Sequence, residues 1–314
     1  MKKIIVLLVA VLMSIGANAE KIIFMPQWTP QAQFAGFYVA KEMGFYEKEG
    51  LDIEIKHISS GSSKSALTEL TEGKVHILGQ QLIPTIKARS KGIKLLNILQ
   101  ITQRSGLMCV SHTPLSGIEE LNNMKIGNWK ANSSEFCDII ESYKHLNINW
   151  VTMLNGISLY IHKVVDATLC FSYNEYISLL LAVGDIPKEN ILYFYDYGYK
   201  CPEDGLIVME AYYNKNKDVI DRFVKATKRG WNYARTHRHY AVDVSMKYCK
   251  ENHIITNRAK QEMMLDEYLA LQINPMTGEA DFAPVDEMTF NDIVNALLMT
   301  NHITVKTTYK EVVR

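Results

Sequence analysis

The sequence predicts an α/β fold of two lobes, in which each lobe is a mainly parallel sheet flanked by helices. Apolar runs of strand length alternate with helix-length amphipathic segments over most of the first two thirds of the chain. From Asn214 onward, helical segments follow one another instead. No Pro/Gly/Ser-rich linker divides the chain, so we expect the lobes to be joined by short crossings near Ser111 to Pro114 and Lys200 to Gly205.

The first unit alternates strands and helices from the start. Apolar or alternating patterns predict the strands, and helical periodicity fills the gaps between them. Thr29 suits the N-cap of the first helix because Pro30 would then occupy its first position, and Gly44 suits its end. Gly73 ends the second helix in the same way. The expected strands are 21–25, 51–58, 75–79 and 93–101, and a third helix covers 80–92.

The alternation resumes after residues 107–112. Strands are expected at 123–129 and 148–154, with helices at 133–146 and 172–184. Helices alone then follow, at 217–236, 240–252, 258–272 and 288–302. The pattern therefore predicts a second α/β unit followed by a helical C-terminal part.

The first nineteen residues have the pattern of a secretory signal peptide. Lys2 and Lys3 precede an uncharged apolar run, and Ala17 to Ala19 provide small residues at a cleavage site. The apolar run is shorter than the roughly 20 residues that span a bilayer, although an N-terminal anchor is the alternative. No Cys follows the cleavage site, so we expect an exported, periplasmic protein that carries no lipid.

Charge and cysteine content exclude several classes of protein. Lys plus Arg number 34, as do Asp plus Glu, so the chain has no basic surplus for nucleic acid. Five widely spaced cysteines leave at least one thiol without an intramolecular partner. Since there is no CxxC or Cys/His cluster, we expect no metal site.

Several segments, taken in chain order, resemble one family. The chain is similar to the thiamine-pyrimidine branch of type II periplasmic substrate-binding proteins, which joins receptors of ABC importers to the yeast-type hydroxymethylpyrimidine phosphate synthases. The segments are "PQWTPQAQFAGFYVAKEMGFYEKEGLDIEI", "GKVHILG", "KIGNW", "SYNEY" and "EDGLIVMEAYYNKNKDVIDRFVKATKRGWNYA".

The resemblance implies a type II periplasmic-binding-protein fold that closes on a small solute and delivers it to a membrane ABC permease. We expect a monomer without cofactors. The expected divisions are a signal peptide at 1–19, lobe I at 20–110, lobe II at 111–204, and a return to lobe I with C-terminal helices at 205–314.

Gln27 and Trp28 are the first candidate ligand-binding residues. They follow a strand and precede a helix, where ligands gather in open α/β sheets. An indole there can stack on a flat heteroaromatic ring, and the amide of Gln27 can both donate to and accept from a pyrimidine edge. The alternative is a core tryptophan.

The "SYNEY" segment supplies the second group of candidate ligand-binding residues, Tyr173, Asn174 and Glu175. In a turn before the helix, Tyr173 could form the other side of an aromatic sandwich, and Glu175 could accept from an amino group or a protonated ring nitrogen. The resemblance implies that Trp28, Tyr173 and Glu175 are recognition residues. Alternatively, Ser172 or Asn174 caps the helix and Glu175 favours its dipole.

Four more residues complete the expected ligand-binding set. Ser62 and Gln80 lie in strand-to-helix stretches whose free backbone N–H groups suit an anion or a carbonyl, although helix capping explains the serines equally well. Trp129 ends a strand of the second unit and has core packing as its alternative. Tyr38 lies on the first helix.

These residues predict the class of ligand. Because the trusted positions are aromatic, amide or acidic, they favour a flat neutral or weakly basic heterocycle, most simply a thiamine-related aminopyrimidine. A basic residue deep in the cleft would favour anions such as sulfonates, nitrate or aromatic acids, and a riboflavin-like solute is a further alternative. The sequence lacks the clustered cysteines of the synthases and any Ser/His/Asp or Cys/His motif, so we expect a receptor without catalytic activity. Two further alternatives are a hydroxymethylpyrimidine phosphate synthase-like enzyme, which these absences disfavour, and a scaffold that has lost its ligand.

Overall fold

The computed structural model describes residues 20–58, 65–129, 134–153 and 157–314, with Glu20 and Ser134 described by backbone alone. The predicted signal peptide and Ser62 lie outside these residues. The strands are β1 Glu20–Met25, β2 Leu51–Ile55, β3 Ile77–Gln81, β4 Leu95–Gln100, β5 Leu107–Ser111, β6 Lys125–Trp129, β7 Asn149–Met153, β8 Ala167–Phe171, β9 Ile191–Tyr193 and β10 Asp204–Met209.

The strands form two five-stranded sheets, which confirms the two-lobed α/β fold. Their orders are β2-β1-β3-β10-β4 and β7-β6-β8-β5-β9. In the first sheet β1 is parallel to β2 and β3, and in the second β6 is parallel to β7 and β8. Strands β10 and β5 are antiparallel to both of their neighbours. In each sheet four of the five strands therefore run in one direction, as predicted, and the sheets are mixed because β10 and β5 run the other way. Both antiparallel strands enter directly from the other lobe, without the long crossover that a parallel neighbour requires.

The two crossings between the sheets lie side by side. The chain leaves β4 and enters β5 through residues 101–106, and it returns to β10 just before Asp204. The carboxylate of Glu203 accepts hydrogen bonds from Ser105 Oγ at 2.6 Å and from the Gly106 N–H at 3.1 Å, so it ties one crossing to the other. The first crossing lies earlier than the expected Ser111 to Pro114, because β5 already belongs to the second sheet. The residue boundaries of the lobes stay a prediction.

Helices cover both sheets. Their bounds are α1 Ala35–Glu42, α2 Phe45–Lys48, α3 Ala66–Thr71, α4 Leu82–Ser90, α5 Ser134–Lys144, α6 Ser158–Ile161, α7 Glu175–Val183, α8 Glu210–Lys215, α9 Lys217–Thr236, α10 Arg238–Glu251, α11 Arg258–Leu271, α12 Glu287–Met299 and α13 Tyr309–Val312. Short 3₁₀ helices lie at Ala32–Phe34, Ile118–Leu121, Lys188–Asn190 and Phe194–Tyr197. None of the helices in the described ranges has both the length and the apolar character needed to cross a bilayer.

The core of the first lobe depends on a close approach of α1 and α9. A Cβ added to Gly230 would lie 2.2 Å from the Gly36 carbonyl oxygen, and one added to Gly36 would lie 2.1 Å from the Trp231 ring. Only glycine fits at both positions, and Trp231 is fully buried beside them. This packing holds α1, and the loop that precedes it, firmly on the sheet.

The first helix begins later than the sequence predicts. Thr29 and Pro30 precede a 3₁₀ helix, and α1 starts only at Ala35. No side chain caps the start locally. The segment is instead held from a distance, because Gln261 Oε1 accepts from the Ala32 N–H at 2.6 Å. Long-range contacts have replaced the predicted Thr-Pro cap.

Helix α11 contacts both lobes. Through Gln261 it holds the segment after β1, and its buried Leu265 belongs to the same apolar cluster as Ile177 of α7. The helix thus lies between the segment that follows β1 in the first lobe and the segment that follows β8 in the second. All five cysteines are buried and free.

Candidate ligand-binding site

The predicted residues gather at equivalent places in the two sheets. In the sheet order β2-β1-β3, the connection that leaves β1 runs to one side of the sheet and the connection that leaves β3 runs to the other. The carboxyl ends of β1 and β3 therefore flank a topological switch point. The order β7-β6-β8 creates the same feature in the second lobe. Ligands of open α/β sheets bind outside such ends. The predicted residues at the two switch points are Gln27, Trp28 and Gln80 in the first lobe and Trp129, Tyr173, Asn174 and Glu175 in the second.

Trp28 is an exposed ring at the carboxyl end of β1. Its side chain is 56% exposed, whereas Trp231 of the core is fully buried. Exposure of this size rules out the alternative of a core tryptophan. An exposed large aromatic side chain at a switch point is available for stacking.

A partly buried histidine fixes the backbone of the loop at residues 26–31, which contains Trp28 and is called the Trp28 loop. His57 Nδ1 lies 2.9 Å from the Trp28 carbonyl oxygen, which can only accept, so Nδ1 carries the proton. Burial lowers the pKa of His57 to about 4, so the ring is neutral at pH 7 and Nε2 is an acceptor. The Tyr38 hydroxyl, 3.0 Å away, therefore donates to Nε2.

Tyr38 supports the site from the core and does not line it. Its ring is fully buried and stacks on Tyr248, with the centroids 4.1 Å apart. Sequence periodicity placed Tyr38 on the apolar stripe of its helix, and that stripe faces the core. Tyr38 contacts the loop that contains Trp28 through His57 and through the backbone of Gln31.

The neutral state of His57 predicts a pH dependence of folding stability. The pKa of His57 is about 4 in the folded protein, below its ordinary value of 6.5, so unfolded chains bind more protons in this range. The contribution to the free energy of unfolding is complete above pH 6.5 and is lost as the pH falls towards 4. It amounts to about 3 kcal/mol at most.

Urea denaturation at several pH values tests this expectation. Between pH 7 and 4, the wild-type protein should lose up to about 3 kcal/mol more unfolding free energy than His57→Gln, whose amide keeps both hydrogen bonds but does not titrate. The buried acids make the unfolding free energy rise as the pH falls. Their effect cancels when the two proteins are compared, because both proteins contain the same acids. Parallel pH profiles would show that His57 is not buried in its neutral form.

Asp204 links Gln27 to the rest of the site. The buried carboxylate accepts a hydrogen bond from Gln27 Nε2 on one oxygen. Its other oxygen accepts from Gln33 Nε2 at 2.5 Å and from the Tyr268 hydroxyl at 2.7 Å. Gln80 lies next to this network, since it pairs with Gly205 across β3 and β10. Asp204 therefore fixes the orientation of the Gln27 amide.

Aromatic rings continue this network into the second lobe. Tyr268 contacts Tyr173 edge-on, with the ring centroids 5.4 Å apart. Phe171 stacks on Tyr173 with a centroid distance of 5.4 Å, and Trp129 stacks on Phe171 with a centroid distance of 5.2 Å. Tyr173 is only 4% exposed, so it is not the open platform that the sequence suggested. Its ring instead packs between Tyr268, which donates to Asp204, and Phe171, which stacks on the half-buried Trp129.

Glu175 and Asn174 open onto a cavity of about 350 Å³ between α6, α7 and α11. Glu175 is the first residue of α7, and its two oxygens accept from the Phe171 N–H and from Asn174 Nδ2, each at 3.0 Å. Asn174 occupies the N-cap position without capping through its side chain. Burial raises the pKa of Glu175, and these donors together with the nearby Lys260 work against that rise.

Burial also raises the pKa of the adjacent acids Glu203 and Asp204. The pKa of Glu203 reaches about 8, chiefly through loss of solvent and also through the neighbouring Asp204. The donors around Asp204 partly offset its rise. Adjacent acids whose pKa values are raised by burial are typical of functional positions. Within the described ranges, no group of three or more His, Cys, Asp or Glu is arranged to hold a metal ion.

Sequence reasoning missed three residues of the site. Asp204 had a visible signal, since "ED" directly precedes an apolar strand in a segment of the resemblance. Tyr268 and Lys260 had none, because they belong to an ordinary amphipathic helix distant in sequence. Of the residues that were predicted, Ser62 lies outside the described chain and Tyr38 supports the site from the core.

The chain is similar to several known proteins. A model of the family described as NMT1/THI5 like matches residues 31–241. A riboflavin-binding protein RibY of Chloroflexus aurantiacus is 22% identical over 270 residues, which cover 83% of this chain and 75% of that protein. A formylaminopyrimidine-binding protein of Halalkalibacterium halodurans is 22% identical over 289 residues, covering 88% and 84%.

The fold is also shared with a solved structure. The periplasmic aliphatic sulphonate binding protein SsuA of Escherichia coli matches with a TM-score of 0.70 and 14% identity, over 93% of this chain and 96% of that one. At this level of identity the likeness concerns the fold alone.

Proposed function

The chain belongs to the NMT1/THI5-like family, and from this premise we propose that it is an extracytoplasmic receptor that binds a thiamine-related aminopyrimidine for an ABC permease. One observation carries the proposal. Seven of the nine predicted residues lie at the switch points of the two sheets, where open α/β sheets bind ligands. They combine an exposed indole, three amides and one carboxylate, which suits a flat ring with amine and ring-nitrogen edges.

Each polar residue has a defined task in this proposal. Trp28 stacks on the ring, and Gln27 offers an amide whose orientation Asp204 fixes. Glu175 accepts from an exocyclic amine, because each of its oxygens already has one donor and retains a lone pair for a second. The relative named as a formylaminopyrimidine-binding protein supports this class of ligand.

Binding would favour the closed arrangement of the lobes. Only that arrangement lets the ligand contact both switch points, so ligand affinity is higher for it. The crossings tied by Glu203 provide the hinge, and α11, which contacts both lobes, follows the movement. An exported receptor of this kind would present its closed form to the permease. No catalytic step is part of the proposal.

Thermal unfolding of the chain from Glu20 onward tests the ligand class. A ligand present at about 100 times its dissociation constant adds about 2.7 kcal/mol of stability. We expect 4-amino-5-hydroxymethyl-2-methylpyrimidine to raise Tm, and Glu175→Gln to abolish the shift. Stabilisation by taurine or nitrate alone, or by riboflavin alone, would keep the receptor role and refute the aminopyrimidine. No shift with any of these compounds would contradict the proposal as a whole.

A further inference from the structure

Lys260 projects a cation into the cavity that contains Glu175. It is the third residue of α11, and its backbone N–H donates to the N-cap residue Asn257 at 2.8 Å. The cavity is lined by Ile157, Ser158, Ile161, Asn174, Glu175, Ser178 and Lys260. Its volume of about 350 Å³ matches a single substituted ring. The next residue, Gln261, accepts from the Ala32 N–H in the segment that follows β1.

The ammonium group of Lys260 lacks a partner in the part of the chain that the structure describes. Among the residues that the structure describes, it forms no ion pair and no hydrogen bond. The side chain is half-buried, and burial lowers its pKa while Glu175 raises it. Partial burial of an unpaired cation costs free energy, which a bound anion would recover.

Glu175 acts on the charge of Lys260 without pairing with it, because the described residues show no ion pair between the two side chains. The two carboxylate oxygens accept from the Phe171 N–H and from Asn174 Nδ2, and each retains a lone pair. The cavity therefore has an acceptor pole at Glu175 and a separate donor pole at Lys260. A ligand that satisfies both poles has an amine at one end and an acidic group at the other.

We infer that the ligand is an aminoheterocycle with an anionic substituent, and that Lys260 binds this substituent. The inference rests on the proposed function and narrows its ligand class from a neutral or weakly basic heterocycle to a bipolar one. The sequence suggested the neutral class because none of the residues assigned to the site was basic. Lys260 reaches the site from a helix that sequence patterns assign only to the C-terminal part.

Two matched probes test the inference by isothermal titration calorimetry. We expect 4-amino-2-methylpyrimidine-5-carboxylate to bind at least about tenfold more tightly than its 5-hydroxymethyl analogue, as a charge-assisted hydrogen bond implies. Lys260→Gln should erase this preference, so that the two probes bind with equal affinity, whereas Lys260→Arg should keep the preference.

Arg258→Gln is the matched control. It removes a positive charge from the same helical turn, but Arg258 is exposed and pairs with Asp243 and Glu262. The preference for the carboxylate should survive in this variant. Equal affinity of the wild-type protein for both probes, or a preference that persists in Lys260→Gln, overturns the inference and leaves the proposed function intact. Failure of both probes to bind overturns the two together.

Discussion

Trp28→Ala is expected to weaken aminopyrimidine binding about a hundredfold and to leave the fold intact. The indole supplies stacking worth about 0.5–1.5 kcal/mol beyond the apolar area that the ligand covers. Stacking and area together reach about 2–3 kcal/mol, and each 1.4 kcal/mol is tenfold in affinity. Because the side chain is 56% exposed, the unfolding free energy should change by no more than about 0.5 kcal/mol. Calorimetric titration and urea denaturation measure the two quantities separately.

Two other aromatic residues make this prediction specific. Tyr143 is 50% exposed on α5, away from the switch points, so Tyr143→Ala should leave affinity unchanged. Trp231 is fully buried, so Trp231→Ala should cost about 3–5 kcal/mol of stability. If Trp28→Ala unfolds the protein or retains full affinity, Trp28 is not the stacking residue.

Asp204→Ala is expected to damage both stability and binding. The change leaves the amides of Gln27 and Gln33 and the hydroxyl of Tyr268 without their acceptor. Each buried donor that loses its partner costs about 1–3 kcal/mol, partly offset because a buried carboxylate is removed. We expect a net loss of about 3 kcal/mol in urea denaturation, and at least tenfold weaker ligand binding because Gln27 is released.

Asp196→Ala is the control for the removal of an acid. Asp196 is exposed near the second crossing, so its loss should change stability by no more than about 0.5 kcal/mol. The stability of Asp204→Asn should lie between those of the wild-type protein and Asp204→Ala. Its amide oxygen still accepts a hydrogen bond, but its NH₂ group faces another donor. Wild-type stability and affinity in Asp204→Ala would show that the network does not position Gln27.

Local patterns predicted strands β1 to β4, β6 and β7, whereas β5, β8, β9 and β10 were not predicted as strands. The alternation of strands and helices located the sheets, and a Gln-Trp pair after the first strand located one switch point before any contact was known. The mixed strand order was not predictable in this way. It depends on β10 and β5 entering directly from the opposite lobe, which is a property of the whole chain.

Contacts between distant residues account for what the sequence left open. Asp204 meets Gln27 across 177 positions and Tyr268 across 64, so no local pattern connects them. Tyr173 was expected to be an open ring, but Phe171 and Tyr268 pack against it. The Thr29-Pro30 helix start followed from local sequence preferences and was wrong. The segment is held instead by a hydrogen bond from Ala32 to Gln261, 229 positions away.

The most direct test of the account is a calorimetric titration of the chain from Glu20 onward with 4-amino-5-hydroxymethyl-2-methylpyrimidine. The account predicts saturable binding of one ligand per chain, lost in Glu175→Gln and weakened about a hundredfold in Trp28→Ala. Binding that both variants retain, or no heat of binding in a protein that folds normally, would contradict it.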